Sequence, residues 1–353
     1  MYAEYNFEQY AEVVGAALAY AEIGGGQACY DAVAASTAAL RALVTSTSPY
    51  GTAAGIPAAL RPCNSSGSAS FSSELDLATY EASVFGNFQG VVQYNMEQPA
   101  GPTVAGICAI MTNATLGAPL ARLAAVQALL NPPDPKAKPV PPVCVQSSFV
   151  QDSIKPLTNA TFSAPGCNLT CSSMRQWIWQ SCHEFGWFQT TTAPAKLHPF
   201  SAFTANNVAN AGRATCEGAF GLDGYTGPQV EWELDNYGGR NLAGANITMV
   251  NGNMDPWHAL SIVNASNRFY DECVLPDGSR PAAGSSGSAC PAQRVTRSET
   301  VVEIDGTAHC GDMYAPNMFA GKPFCPGPAC HNDSASLVWA HGVIAGQVHA
   351  YLS

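Results

Sequence analysis

The chain has 353 residues, enough for two domains or one large one. Apolar residues make up 47% and charged residues only 12%, about half the usual ~25%, which excludes an intrinsically disordered chain. Fifteen Lys and Arg against 26 Asp and Glu leave a net charge of −11, which excludes nucleic-acid binding of the usual electrostatic kind, and no apolar run reaches the ~18–20 residues of a membrane span.

The opening segment, MYAEYNFEQYAEVVGAALAY, sets Phe7, Tyr10, Val13, Val14 and Ala17 at helical spacing, one apolar stripe of a globular helix. It holds Glu4, Glu8 and Glu12 and no Lys or Arg, so it lacks the basic start of a signal peptide. A second helix is predicted after Gly24-Gly25-Gly26, with Tyr30, Val33, Leu40 and Leu43 on one side. Residues 45–73 read as a Ser, Thr, Gly and Pro loop. Residues 74–95 and 104–130 read as helices, the latter with Leu116, Leu120, Leu123, Val126 and Leu129 spaced by three and four. NPPDPKAKPVPP, residues 131–142, is a connector that cannot continue a helix.

The second half has a different texture. NITMV (246–250) and TVVEI (300–304) are short apolar runs, followed by the polar loops NGNMDPW and DGTAHCGDM. Two such strands predict a parallel α/β sheet, with functional groups on the loops at the carboxyl ends of the strands. Cys273 and Cys290 bound a low-complexity segment between the strands, and a disulfide closing it is expected. Residues 335–352 read as a closing helix with Leu337, Val338, Ile344 and Val348.

Thirteen cysteines and seven Asn-x-Ser/Thr sequons, at Asn64, Asn113, Asn159, Asn168, Asn246, Asn264 and Asn332, point to the secretory route. The odd cysteine count leaves at least one thiol without an internal partner. That oddity and the lack of a signal peptide would share one explanation, and an N-terminal part lying ahead of this sequence is expected.

Asp255 and His309 follow the two strand candidates in turn. Asp before His is the order of acid and base in an α/β-hydrolase, where a carboxylate holds the imidazole that takes a proton from a serine. Taken alone, an Asp before Pro is usually a turn former and a loop His is usually structural. Cys310, Cys325, Cys330 and His331 lack the spacing of a zinc knuckle, and Tyr237-Gly238-Gly239 lacks that of a phosphate cradle. No metal and no cofactor are expected.

The wider wording is more specific. WIWQSCHEFGWFQT (177–190), DNYGGRNLAGANITMV (235–250), NGNMDPWHALS and GTAHCGDM resemble, in order, segments of the serine carboxypeptidase family that includes lysosomal Pro-X carboxypeptidase, dipeptidyl peptidase II and thymus-specific serine protease. Cys216-Glu217 and Phe220-Gly221 continue the likeness, and FEQYAEVVGAAL, VVQYN (91–95) and GICAIM (106–111) extend it more loosely toward residue 1. The His-Cys-x-Asp-Met wording looks most like the thymus-specific branch.

The resemblance implies an α/β fold: the C-terminal part of an α/β-hydrolase sheet with an inserted helical cap. Residues 1–160 would be the cap and 161–353 the hydrolase part. It implies a serine-type exopeptidase acting near proline or small residues at a chain end, lysosomal, vacuolar or secreted. Asp255 matches the family's catalytic Asp and His309 its catalytic His. Trp177, Trp179 and Glu184 are candidates to line the substrate pocket, with core packing as the equal alternative. Trp257 flanks Asp255 and shapes the loop or the pocket, and Gln93 and Tyr94 read as helix packing ahead of the alternative that they face substrate. The expected partner is a peptide substrate, and a homodimer stays open.

The sequence departs from the family in one respect. No Gly-x-Ser-x-Gly elbow occurs in it, and GSSGS at 284–288 has the wrong spacing. The first strands of the sheet and the nucleophile are expected to lie ahead of residue 1, and the 353 residues by themselves are expected to be inactive. The alternatives are a non-catalytic peptide-binding glycoprotein of the same fold, or an esterase or lipase-like hydrolase.

Overall fold

A computed structural model describes residues 2–46, 55–63, 71–95, 101–158, 170–222, 227–239, 242, 244–263, 299–313 and 335–353. Capping chemistry sets its early elements. After a short strand β1 (Glu4–Phe7) come α1 (Gln9–Ala19), α2 (Gln27–Val44), α3 (Glu74–Gln93), α4 (Val104–Thr112) and α5 (Pro119–Leu130). The Ser73 hydroxyl accepts from the Asp76 N–H at the start of α3, and the Thr103 hydroxyl accepts from the Gly106 N–H at the start of α4. Proline opens α5, where a missing N–H costs nothing.

Two sequence expectations change here. Phe7 is buried, but it ends β1 instead of joining the first helix. The stretch 104–130 is two helices, because Asn113 caps a separate turn, Gly117 is left-handed (φ 99°) and Pro119 keeps Ala118 extended. Leu123 and Val126 are buried as the spacing requires, whereas Leu116 and Leu129 are exposed.

The chain continues through α6 (Lys155–Thr158), α7 (Thr170–Gln180), β2 (Gly186–Gln189), α8 (Ala214–Phe220), α9 (Gly227–Tyr237), β3 (Ile247–Gly252), β4 (Glu299–Ile304) and α10 (Ala335–Leu352). β1 pairs with β2 in parallel, Glu4 opposite Gly186 and Phe7 opposite Gln189. Gly186 permits that pairing: its φ is 75°, and a Cβ there would stand 2.3 Å from the Glu4 carbonyl oxygen. β3 and β4 also pair in parallel, from Ile247 opposite Glu299 to Gly252 opposite Ile304. The protein is therefore a helix-rich α/β structure with small parallel sheets, as the two apolar runs predict.

One core joins the two halves of the sequence. α1 is buried nearly all round, through Tyr10, Val13, Val14, Ala17 and Leu18, and so sits at its centre. Tyr80, Phe85 and Phe88 of α3 and Phe200, Phe203, Met254, Trp257 and Leu260 from the later chain pack into the same cluster. Disulfides Cys29–Cys108, Cys63–Cys144 and Cys182–Cys216 tie segments far apart in sequence. α10 leans on β4 through Ala340, Leu337 and Val343, while its Val338 and Val348 are exposed. Among the described residues no helix is long and apolar enough to cross a membrane. Cys273 and Cys290 lie outside the described residues.

Candidate active site

The loops after β3 and β4 interlock. The Met254 N–H donates to the Thr307 carbonyl at 3.0 Å and the Asn253 N–H to the Ile304 carbonyl at 3.1 Å. The Asn253 side chain reaches the same loop twice, donating to the Asp305 carboxylate and accepting from the Gly306 N–H, both at 2.8 Å. Gly252 makes the approach feasible: a Cβ there would lie 2.4 Å from the Thr307 carbonyl oxygen and 2.8 Å from that of Ala308. Asn251 donates to the Ile262 carbonyl at 2.9 Å and so ties the start of the loop to its end.

This interlock puts Asp255 beside His309. Asp255 Oδ1 accepts from the Trp257 N–H at 3.0 Å, capping the short turn Pro256–Leu260, and Oδ2 meets His309 Nδ1 at 2.8 Å. Both side chains are mostly enclosed but reach solvent, at 13% exposure for Asp255 and 25% for His309. The floor is aromatic. The buried Trp257 ring lies 5.3 Å from Phe7, 5.8 Å from Tyr10 and 5.5 Å from Trp177, centroid to centroid. Burial raises the Tyr10 hydroxyl well above its ordinary pKa, and the nearby Asp255 carboxylate adds to this, so Tyr10 stays a neutral donor.

Gln93, the last residue of α3, reaches every part of this arrangement. Its carbonyl accepts from the His309 N–H at 2.8 Å. Its side-chain oxygen accepts from the Tyr10 hydroxyl and from Trp257 Nε1, the latter at 3.3 Å. Its amide nitrogen donates to the Tyr94 hydroxyl at 2.8 Å, and the Tyr94 ring meets the His309 imidazole edge-on at 5.9 Å. Asp312, on the turn after His309, is a further carboxyl beside the pair. Burial raises its pKa, with Asp255 adding, while its own N–H, His341 and His309 pull the other way.

The other sequence candidates divide. Trp177 joins the aromatic floor. Trp179, two residues on and thus across the helix, is stacked on His183 and edge-on to Phe220, and Glu184 meets His183 Nδ1 at 3.5 Å. Trp177 and Trp179 thus meet different neighbours. Asn113 and Asn246 are exposed, while Asn64, Asn159, Asn168, Asn264 and Asn332 lie outside the described residues. Among the described residues no three His, Cys, Asp or Glu side chains cluster to hold a metal. Sequence reasoning passed over Tyr10 and the hub role of Gln93, which no local pattern betrays. Asp312 carried a signal, a carboxylate three residues after the candidate base.

Comparison with known proteins places most of the chain in one family. A family model described as Serine carboxypeptidase S28 matches residues 1–280. A Caenorhabditis elegans protein whose assigned name is that of a serine protease is 33% identical over 147 residues, 40% of this chain and 23% of that protein. A second from the same organism, of similar name, is 26% identical over 266 residues, 71% of this chain and 41% of its own length. Human thymus-specific serine protease is 29% identical over 215 residues, 58% of this chain and 38% of its own. The chain thus spans less than half the length of these curated relatives.

Proposed function

The chain belongs to the serine carboxypeptidase S28 family, and from that premise we propose that Asp255 and His309 are the acid–base pair of a serine peptidase. The observation that carries this reading is the 2.8 Å contact between Asp255 Oδ2 and His309 Nδ1, at the carboxyl ends of two adjacent parallel strands. Asp255 holds the imidazole in the tautomer with its proton on Nδ1, so proton transfer is the task of Nε2. His309 takes the proton of a serine hydroxyl as that oxygen attacks the scissile carbonyl, then returns it to the leaving amine. A water activated by the same imidazole resolves the acyl ester. The sequence has no Gly-x-Ser-x-Gly, so the serine is proposed to come from polypeptide beyond these 353 residues.

The finer reading continues the family likeness. Residues 1–160 form a helical cap inserted in the hydrolase fold, and 161–353 form its C-terminal part. Substrates are peptides cleaved near proline or small residues at a chain end, with Trp177 and Trp257 walling the pocket. The three disulfides among the described residues and the sequons support a secreted or lysosomal glycoprotein.

The test uses the full natural polypeptide and peptides with proline next to either end. Hydrolysis should be blocked by a serine-directed fluorophosphonate, and Asp255→Asn should lower kcat by about 10⁴-fold while leaving the fold intact. Unaltered turnover in Asp255→Asn, or no labelled serine, refutes the assignment. The missing elbow motif gives a non-catalytic peptide-binding protein as the second reading, and peptide binding without turnover is its signature.

A further inference from the structure

We propose that Gln93 is a positioning residue for the His309 imidazole; the inference rests on reading Asp255 and His309 as the acid–base pair. The last carbonyls of a helix lack intrahelical partners, and the helix dipole gathers partial negative charge there. The Gln93 carbonyl is one of these, and it takes the His309 N–H at 2.8 Å. The negative end of a 20-residue helix thus joins the backbone of the group that must become an imidazolium.

The side chain does a second job. Packing alone would be served as well by Leu or Met at position 93. The amide instead takes donors from Tyr10 and Trp257 on its oxygen and donates to Tyr94 from its nitrogen. Both Tyr10 and Trp257 are buried, so losing this acceptor strands polar groups away from water. Tyr94 in turn sets its ring edge-on to the imidazole, at an interplanar angle of 83°. The imidazole is therefore held by Asp255 at Nδ1, by Tyr94 against its ring and by α3 through its main chain.

Only neutral imidazole reacts with diethyl pyrocarbonate, so the pH dependence of modification reports each histidine's own titration midpoint. The experiment follows that reaction by peptide mass spectrometry in the full natural polypeptide, with the exposed His183 and His349 as internal references. Gln93→Leu should lower the His309 midpoint by about one pH unit, because a loosened ring holds Asp255 less well. Gln93→Glu should raise it by about one unit, because it sets a negative charge against the hydroxyl of Tyr94, whose ring meets the imidazole, and nearby negative charge favours the imidazolium. Tyr94→Phe, which removes the hydroxyl and keeps the ring, should lower it by less. Shifts of the same sign in the Leu and Glu variants, or an unmoved midpoint in both, overturn the proposal. If Gln93→Leu does not fold, an unmoved midpoint in Gln93→Glu and Tyr94→Phe overturns it equally. The readout does not require turnover, so an absence of peptidase activity would count against the proposed function alone.

Discussion

Gly252→Ala tests the interlocked loops with one methyl group. The added Cβ would fall 2.4 Å from the Thr307 carbonyl oxygen, and real Cβ atoms essentially never stand closer than 3.0 Å to a neighbour. Something must move by about 0.6 Å, and the obstacle is backbone on both sides. Thr307 also accepts the Met254 N–H, so displacing it strains the bond that aligns the two loops. His309 lies two residues further along and Asp255 three residues beyond Gly252, so their 2.8 Å contact takes up the shift. A misplacement of ~1 Å at a reacting group can cost about 100-fold in rate, so a drop of roughly tenfold or more in kcat/KM is expected. The overpacking itself should destabilise the fold by about 1–3 kcal/mol. Gly15→Ala is the control: its Cβ would meet Pro199 Cδ at 2.8 Å in the helical core, so it should cost similar stability with kcat/KM nearly preserved. Peptide hydrolysis and thermal melts of both variants decide the matter. Wild-type kcat/KM in Gly252→Ala would refute the claim that the glycine sets the geometry of the pair.

Two buried ionisable groups give stability opposite pH dependences. Glu81 takes the Ala205 and Asn206 N–H groups and pairs with Arg41, and burial pushes its carboxyl up to about 7 despite those partners. Its contribution is complete below the ordinary value of 4.5 and is lost as pH rises through about 7, so Glu81→Gln should flatten the fall in melting temperature over that window. An identical slope in the variant would contradict this. His198 is held with Nε2 on the Ala193 carbonyl and Nδ1 accepting from the Phe200 N–H, and burial lowers its pKa despite the Ala193 contact. Its contribution is complete above the ordinary 6.5 and fades as pH falls below that value, so urea melts of His198→Gln should lose less stability than wild type on acidification from pH 7 to 5. The Cys29–Cys108 disulfide closes a loop with a sequence separation of 79 residues, and loop entropy predicts that Cys29→Ser with Cys108→Ser costs about 4 kcal/mol. A change below about 1 kcal/mol in denaturant melts would show that packing of α2 on α4 suffices without it.

What the sequence determined by itself was local or repeated in wording. Helical spacings announced α1 and α2, residues 74–95 read as the helix that became α3, the runs NITMV and TVVEI announced β3 and β4, and the order of Asp255 and His309 after them marked the candidate pair. These signals survive because helix and strand periodicities depend on neighbours a few residues apart. The tertiary structure decided everything that depends on residues distant in the chain. It took Phe7 into a strand, because Gly186 offers β1 a parallel partner. It split the pocket candidates, setting Trp177 against Trp257 and Trp179 against His183. It also brought the end of α3 to His309, making Gln93 the hub of the site. No pattern along the chain encodes that meeting, because it arises only when α1 and α3 pack with the loop after β3 around one core.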